Sequence, residues 1–503
     1  MSAETSIDPR TGAPYGVAFA PTTSAEVARI AAAAAEAAGP FEAAGRGFRA
    51  GLLRAIGDAL EDAREQIVTV ADRETGLGEK RLGGELTRTV YQARLFADVL
   101  DEGSYLEAAI DHAGPTPMGP GPDLRRMLVP IGPVAVFGAG NFPLAFAVPG
   151  GDTVSALAAG SPVVIKAHPS HPATSRLTFD LMARAAAAFG APQGILSLVS
   201  GLQAGADLVA DPRIRAVAFT GSLRGGKALL EIINARPEPI PFYGELSSLN
   251  PVVVTEAAAA TRGDAIAAGL VGSFTASGGQ LCTKPGLVFV PAGEAGDALV
   301  AAAVAATGDV AAPWALGENI GAAYDGIASG LASRPGVKVI AEGGPVPGEG
   351  FAMRARLLTA RAADLSEADT EECFGPLAII ARYDGEADLR SALDRLPASL
   401  TGTLHCEDDE DDLAVELTEA LRAKAGRVLY NGFPTGVLVS WAQTHGGPWP
   451  STNTAHTSVG TTAIRRFLRP VTWQDAPEAV LPAELQDGDA GIPRRIDGRL
   501  MLP

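Results

Sequence analysis

Cysteine is nearly absent from this 503-residue chain, which has only Cys282, Cys373 and Cys406. Three cysteines cannot form a disulfide framework, and no CxxC spacing suggests zinc, so no metal is expected. A reducing compartment suits such a chain. Positive charge is also scarce: 40 Lys and Arg against 58 Asp and Glu leave a net charge of −18. Nucleic-acid and anionic-membrane partners need a basic footprint, so neither is expected. No apolar run reaches membrane-spanning length. The opening Met1-Ser2-Ala3-Glu4-Thr5 has neither the basic nor the apolar region of a secretory signal. The expected location is cytoplasmic. There is no internal repeat, and the only low-complexity stretches are alanine runs.

Hydrophobic residues make up 47% and charged residues 19%, an ordinary globular composition. The length exceeds what one core organises and suggests two or three domains. The spacing predicts helices over Ala25–Ala38, Phe48–Leu77 and Thr87–Ile110, before any convincing strand. Gly114–Pro122 breaks the pattern and looks like a linker or extended arm. From Met127 strands and helices alternate. Strands are expected at Val134–Phe137, Pro162–Lys166, Ile195–Val199, Ala216–Thr220 and Pro241–Leu246. A second alternating block starts near Asn250, with strands at Pro251–Val254, Gly286–Val290, Val337–Ala341, Leu377–Tyr383, Gly402–His405 and Arg427–Tyr430. Such alternation implies parallel strands joined by right-handed crossovers, with ligands at their carboxyl ends.

The residues at those ends are suggestive. Gly138-Ala139-Gly140-Asn141-Phe142-Pro143 follows one strand and Lys166-Ala167-His168-Pro169 another. Thr220-Gly221-Ser222 leads into a helix, as a phosphate cradle would. Glu245 ends a strand, where apolar neighbours would raise its pKa toward the range of a general base. Cys282 lies in Ser277-Gly278-Gly279-Gln280-Leu281-Cys282-Thr283-Lys284-Pro285-Gly286, a glycine-rich bend between a helical run and a strand. A thiol there is a candidate nucleophile, although most free cysteines are small buried hydrophobes.

Taken together, these pieces resemble the aldehyde dehydrogenase superfamily. Gly140-Asn141-Phe142-Pro143, Lys166, Phe219-Thr220-Gly221-Ser222, Glu245-Leu246, Gly279-Gln280-Leu281-Cys282 and Glu371-Glu372-Cys373-Phe374-Gly375-Pro376 occur in its order and approximate spacing, over residues 20 to 470. Ala167-His168-Pro169, Cys282-Thr283-Lys284-Pro285-Gly286, Pro434-Thr435-Gly436-Val437 and His445-Gly446-Gly447-Pro448 resemble one branch of it. That branch holds the α-ketoglutaric semialdehyde (2,5-dioxopentanoate) dehydrogenases and related bacterial long-chain aldehyde dehydrogenases.

The resemblance implies an α/β fold of two doubly wound domains plus a small β oligomerisation element. The NAD(P)-binding domain would span residues 1–111 and 131–247, and the catalytic domain 248–432. The oligomerisation element and tail would take 112–130 and part of 433–503. It implies Cys282 as nucleophile, Asn141 with the Cys282 N–H as oxyanion donors, and Glu245 as the base that activates water. His445 would sit near the nicotinamide and assist proton transfer, unless it is a structural histidine. Lys166 would bind the adenosine ribose and Glu372 the nicotinamide ribose, with Phe374 packed against that ribose and ring. Thr220, Gly221 and Ser222 would lie by the pyrophosphate. His168 and His171 read as structural or near the adenosine end.

One departure bears on the cofactor. The family usually places a glutamate three residues after the lysine, where this chain has Pro169. Without that charge, and with Lys166 left without that carboxylate as a neighbour, NADP is expected to be accepted and preferred, with NAD still usable. The expected substrate is 2,5-dioxopentanoate, with medium or long aliphatic aldehydes as the alternative, and the expected assembly is a homodimer or homotetramer. Acyl transfer to coenzyme A fits Glu245 poorly, since that route needs no base for water. A cofactor-free thiol esterase would use the same Cys282. A catalytically silent scaffold fits least, because every expected catalytic residue type is present.

Overall fold

A computed structural model describes residues 3–366, 370–488 and 490–503. The chain opens with a hairpin, Glu4–Asp8 paired antiparallel with Ala13–Phe19, where the sequence suggested only polar turns. Four helices follow: Ser24–Ala43, Gly45–Asp62, Arg64–Thr75 and Glu79–Glu102. The single helix expected over Phe48–Leu77 is two, because Ala63 leaves helical geometry at φ −98°, ψ 15°. The helix expected over Thr87–Ile110 starts at Glu79 and stops at Gly103, whose φ of +81° is a left-handed cap that favours glycine. Ile110 then lies in a short strand, Ala109–Asp111. The expected arm contains a small hairpin, Gly114–Thr116 with Gly119–Gly121.

The first parallel sheet has five strands in the order 242–245, 216–220, 134–137, 163–166, 196–199. Helices cover both faces, so the strand Val134–Phe137 is buried throughout and reads as an unbroken apolar run. The chain enters at the central strand 134–137, builds outward to 196–199, then crosses to 216–220. The reversal point lies between 134–137 and 216–220. In open α/β sheets that is where the crevice for a ligand forms. Gly138–Asn141 and Thr220–Ser222 leave the sheet there.

The second sheet has seven strands in the order 338–342, 356–361, 377–383, 287–291, 252–254, 399–405, 425–430. All neighbours are parallel except the edge pair 338–342 and 356–361. The strand Arg356–Arg361 and the helices Glu318–Ala332 and Glu386–Arg395 escaped the sequence pattern. A third sheet joins the 109–130 region to the tail, in the order 468–474, 124–130, 109–111, 494–496, 499–501. No helix among the described residues is long and apolar enough to cross a membrane.

Candidate active site

The helix Glu256–Thr275 runs into the bend that carries Cys282. Ser277, Gly278 and Gly279 all take left-handed φ values, +51°, +68° and +66°. Gly279 admits no other residue, because a Cβ there would lie 2.2 Å from the carbonyl carbon of Gly375. Gln280 is fully buried and clamps the bend: its Nε2 donates to the Ser277 and Trp314 carbonyls, and its Oε1 accepts from the Leu316 N–H. On the far side of the thiol, Asn250 Nδ2 donates to the carbonyls of Cys282 and Lys284 at 2.8 and 3.0 Å. The nucleophile candidate is fixed by its backbone, and its side chain keeps partial exposure.

Glu245, Cys282 and His445 converge from three distant segments. Their Oε, Sγ and imidazole nitrogen atoms lie within 4.8 Å of one another. His445 Nε2 is 2.9 Å from Glu245 Oε1 and 3.5 Å from Cys282 Sγ. Ser458 Oγ donates to the other carboxylate oxygen at 2.8 Å. Such a donor set could in principle share a metal ion, but the imidazole nitrogen facing the sulfur is already bonded to the carboxylate. Burial pushes the Glu245 pKa up, while the charge and hydrogen bond of His445 and the hydroxyl of Ser458 pull it down, and the net shift is downward. This corrects the expectation of a raised carboxyl: His445 and Ser458 outweigh the apolar surroundings. Burial and then the Glu245 charge push the Cys282 thiol well up, so a proton acceptor beside it matters. The Glu245 carboxylate is at hand.

Asn141 is buried, and its Nδ2 donates to the Gln280 carbonyl at 2.9 Å, beside Cys282. Its loop is held by two residues that sequence reasoning missed. Arg81 donates to the Asn141 carbonyl, to Ser277 Oγ and to Glu85, tying the two loops together. Glu85 accepts the backbone N–H groups of Leu144 and Ala145, both at 2.8 Å. Arg81 and Glu85 lie four apart on a helix and look like an ordinary surface pair in sequence. Ser458 gave no signal in its Gly-, Pro- and Thr-rich tail.

A cleft of about 1360 Å³ runs from Asn141, Glu245 and Cys282 past Thr220, Gly221, Ser222, Glu372 and Phe374 to His168 and Pro169. Ser222 caps the helix Leu223–Asn234, its Oγ accepting from the Gly225 N–H at 3.1 Å. Gly221 turns there, where a Cβ would lie 2.6 Å from the Phe219 ring. A bare backbone turn at a helix N-terminus suits a pyrophosphate, and a cleft of this size suits a dinucleotide. Glu372 accepts from the Ser248 N–H at 3.2 Å, and burial raises its pKa.

The adenosine end departs from expectation. Lys166 is not among the cleft-lining residues, and its Nζ lies 3.9 Å from Glu4 Oε1. Position 169 supplies no carboxylate to Lys166, but the N-terminal hairpin brings in another, Glu4. The Ser170 N–H donates to His168 Nδ1, and the His168 ring stacks on that of His171. Burial, then the neighbouring His171 and Lys166, holds the His168 pKa well below the usual imidazole range. His171 is fully buried between Ser175 Oγ and the Ala139 carbonyl, a structural histidine. Cys373 and Cys406 are buried.

A thiol, a carboxylate and an amide lining one dinucleotide-sized cleft, on this fold, suit an oxidoreductase acting on a carbonyl. The sequence profile of the Aldehyde dehydrogenase family matches residues 2–471, and the chain belongs to that family. It is an enzyme that oxidises an aldehyde to a carboxylate with NAD(P). The chain is 45% identical to the alpha-ketoglutaric semialdehyde dehydrogenase 2 of Azospirillum brasilense, over 98% of this chain and 95% of that protein. It is 41% identical to the alpha-ketoglutaric semialdehyde dehydrogenase of Acinetobacter baylyi, over 97% and 94%. Among solved structures, aldehyde dehydrogenase C of Pseudomonas syringae, crystallised as a mutant with NAD+ and octanal, superposes with a TM-score of 0.81. That pair shares 20% identity and covers 95% of this chain and 94% of the other, a likeness of fold alone.

Proposed function

We propose that the enzyme oxidises 2,5-dioxopentanoate, a short semialdehyde with a 2-oxo acid at its far end, to the dicarboxylate. The two curated relatives named for this substrate match nearly the whole chain. The chemistry rests on the cluster in which His445 Nε2 lies 2.9 Å from Glu245 and 3.5 Å from Cys282. Cys282 Sγ attacks the aldehyde carbon, and its proton passes to the adjacent Glu245 carboxylate and on to solvent. The oxyanion is held by the Cys282 N–H and by the Asn141 amide, which has a second N–H beyond the one given to Gln280. NAD(P), when bound in the cleft, supplies the hydride acceptor. Cys282 is left as a thioester, and Glu245 takes a proton from the water that hydrolyses it. His445 keeps that carboxylate ionised and oriented.

The cofactor contacts follow the cleft: Thr220, Gly221 and Ser222 at the pyrophosphate, Glu372 and Phe374 at the nicotinamide ribose, and His168 and Pro169 at the adenosine end, with Lys166 set behind them as a nearby charge. Pro169 offers no charge to repel a 2′-phosphate, so NADP is accepted alongside NAD. A preference for NADP rests on Lys166, whose charge Glu4 partly offsets. The first parallel sheet with its helices is the nucleotide-binding domain, and the second carries the thiol. The third sheet ends in the exposed Leu500, Met501 and Leu502, a suitable surface for a cytoplasmic homo-oligomer.

The test is kcat/KM for a panel of aldehydes under both cofactors, comparing 2,5-dioxopentanoate with straight-chain aldehydes. The semialdehyde should lead. A steady rise with alkyl length and poor turnover of the semialdehyde would overturn the substrate assignment.

A further inference from the structure

Two half-buried arginines flank the loop Pro434-Thr435-Gly436-Val437, and each keeps one nitrogen that is out of solvent and without a partner. Arg88, on the helix Glu79–Glu102, donates its Nε to the Val437 carbonyl at 3.2 Å and its Nη1 to Gln92 at 3.3 Å. Its Nη2 is buried and unpartnered. Arg427, on the strand Ala425–Tyr430, donates Nη1 to the Gly436 carbonyl and Nη2 to that of Pro434, while its Nε is buried and unpartnered. Thr435 completes the clamp through Ser273 Oγ at 3.2 Å.

Neither arginine has a carboxylate ion-pair partner within 4.0 Å among the described residues, in a protein with a net charge of −18. The acidic group nearest Arg88 on its own helix, Glu85, is held by Arg81. A guanidinium nitrogen shielded from water ordinarily has an acceptor, because leaving a charge-bearing donor without one is costly. Both lie within electrostatic reach of Cys282, and Arg88 also of Glu245. The path between is apolar. The Arg88 guanidinium lies 4.9 Å over the Phe146 ring, whose centroid is 6.2 Å from that of His445. Phe146 packs with Leu95, Ala139, Val439 and Val459.

We propose that Arg88, with Arg427 behind the 434–437 loop, binds the carboxylate at the far end of the substrate while the aldehyde lies at Cys282. The apolar wall at Phe146 would accommodate the intervening carbons. The inference rests on the semialdehyde assignment and names the residues that carry it. A planar guanidinium with a free N–H suits a carboxylate better than an ammonium does. The 434–437 motif, which the sequence offered without a role, becomes the spacer that sets the two arginines apart.

The test measures kcat/KM for 2,5-dioxopentanoate and for pentanal in wild type, Arg88→Gln and Arg88→Lys, and compares the ratio between the two substrates. In Arg88→Gln the ratio should fall by about 10- to 100-fold, mainly through KM for the semialdehyde. In Arg88→Lys it should fall less. Arg427→Gln should lower it by a smaller factor. A wild-type ratio already favouring pentanal would fail the substrate assignment itself. A wild-type preference for the semialdehyde that survives Arg88→Gln unchanged would overturn the role of Arg88 alone. If the variants do not fold, a crystal structure of wild type with 2-oxoglutarate decides. A carboxylate within hydrogen-bond distance of Arg88 supports the proposal, and one bound elsewhere defeats it.

Discussion

The two ends of the cleft are built in opposite ways. At the thiol end, Glu245, Cys282 and the tail segment carrying His445 and Ser458 arrive from three separate stretches, and of these four side chains' polar atoms His445 Nδ1 is the one left without a partner. Gln280, Asn250, Arg81 and Glu85 fix the loops beneath them. Where the adenosine is proposed to lie, the short run His168-Pro169-Ser170 lines the cleft, and Lys166 beside it is balanced by Glu4 on a hairpin. The difference separates chemistry from recognition. Reaction geometry tolerates little displacement, so many segments determine it together. Cofactor choice rests on a few charges that can be exchanged singly.

That contrast can be broken most sharply at the thiol. Cys282→Ala should abolish aldehyde oxidation while leaving the cofactor dissociation constant, read by fluorescence titration, nearly unchanged. Wild-type turnover in the folded variant would remove the nucleophile assignment.

Next in size are the two groups that handle charge around the adduct. Asn141→Ala should slow formation of the reduced cofactor by roughly 100-fold or more, seen in single-turnover stopped flow. Glu245→Gln should instead give a burst of about one equivalent of reduced cofactor per site and then stall, with a thioester visible by mass spectrometry. A linear trace at the wild-type rate would contradict the hydrolytic role.

A smaller effect is expected at His445. Its charge and hydrogen bond offset the burial that would raise the Glu245 carboxyl. In His445→Ala the burial remains and the offset goes, so the Glu245 pKa rises and its basic form is lost at a higher pH. The acid limb of the pH profile for thioester hydrolysis should move upward, with a loss of roughly 10- to 100-fold near neutrality. An unmoved limb would leave the imidazole a structural role.

The least effect belongs to the adenosine end. Glu4→Gln should raise the NADP to NAD ratio of kcat/KM by a few fold, about what one partly screened charge gives. Pro169→Glu should lower it. If neither variant shifts the ratio, these residues do not face the 2′ position.

Much of the fold could be read in the sequence because fully buried parallel strands leave unbroken apolar runs. Val134–Phe137 and Leu377–Tyr383 are observed with the bounds expected. The strand Arg356–Arg361, one in from the sheet edge, carries only half such a signal, and the 494–496 and 499–501 strands are too short for any period. At the site, motif order singled out Cys282, Glu245 and Asn141, which the fold brings together. It offered no hint of Ser458, Arg81 or Glu4, because their meaning lies in contacts across more than a hundred positions. The sign of the Glu245 shift was missed for the same reason: the offsetting imidazole lies 200 residues away.

The glycine contact beneath the thiol has a mechanical consequence. Gly279 touches the backbone of Gly375, and Gly375 in turn has no room for a Cβ, which would meet the Tyr324 ring at 2.2 Å. Three flat surfaces are stacked without slack, linking the bend that bears the sulfur to the strap that bears Glu372 and Phe374. The two therefore move as one plate. Any rearrangement during turnover is then expected elsewhere in the cleft, at the turn Thr220–Ser222. Amide exchange should report it directly, with matched slow rates at 279–282 and 373–376 and faster ones across the cleft.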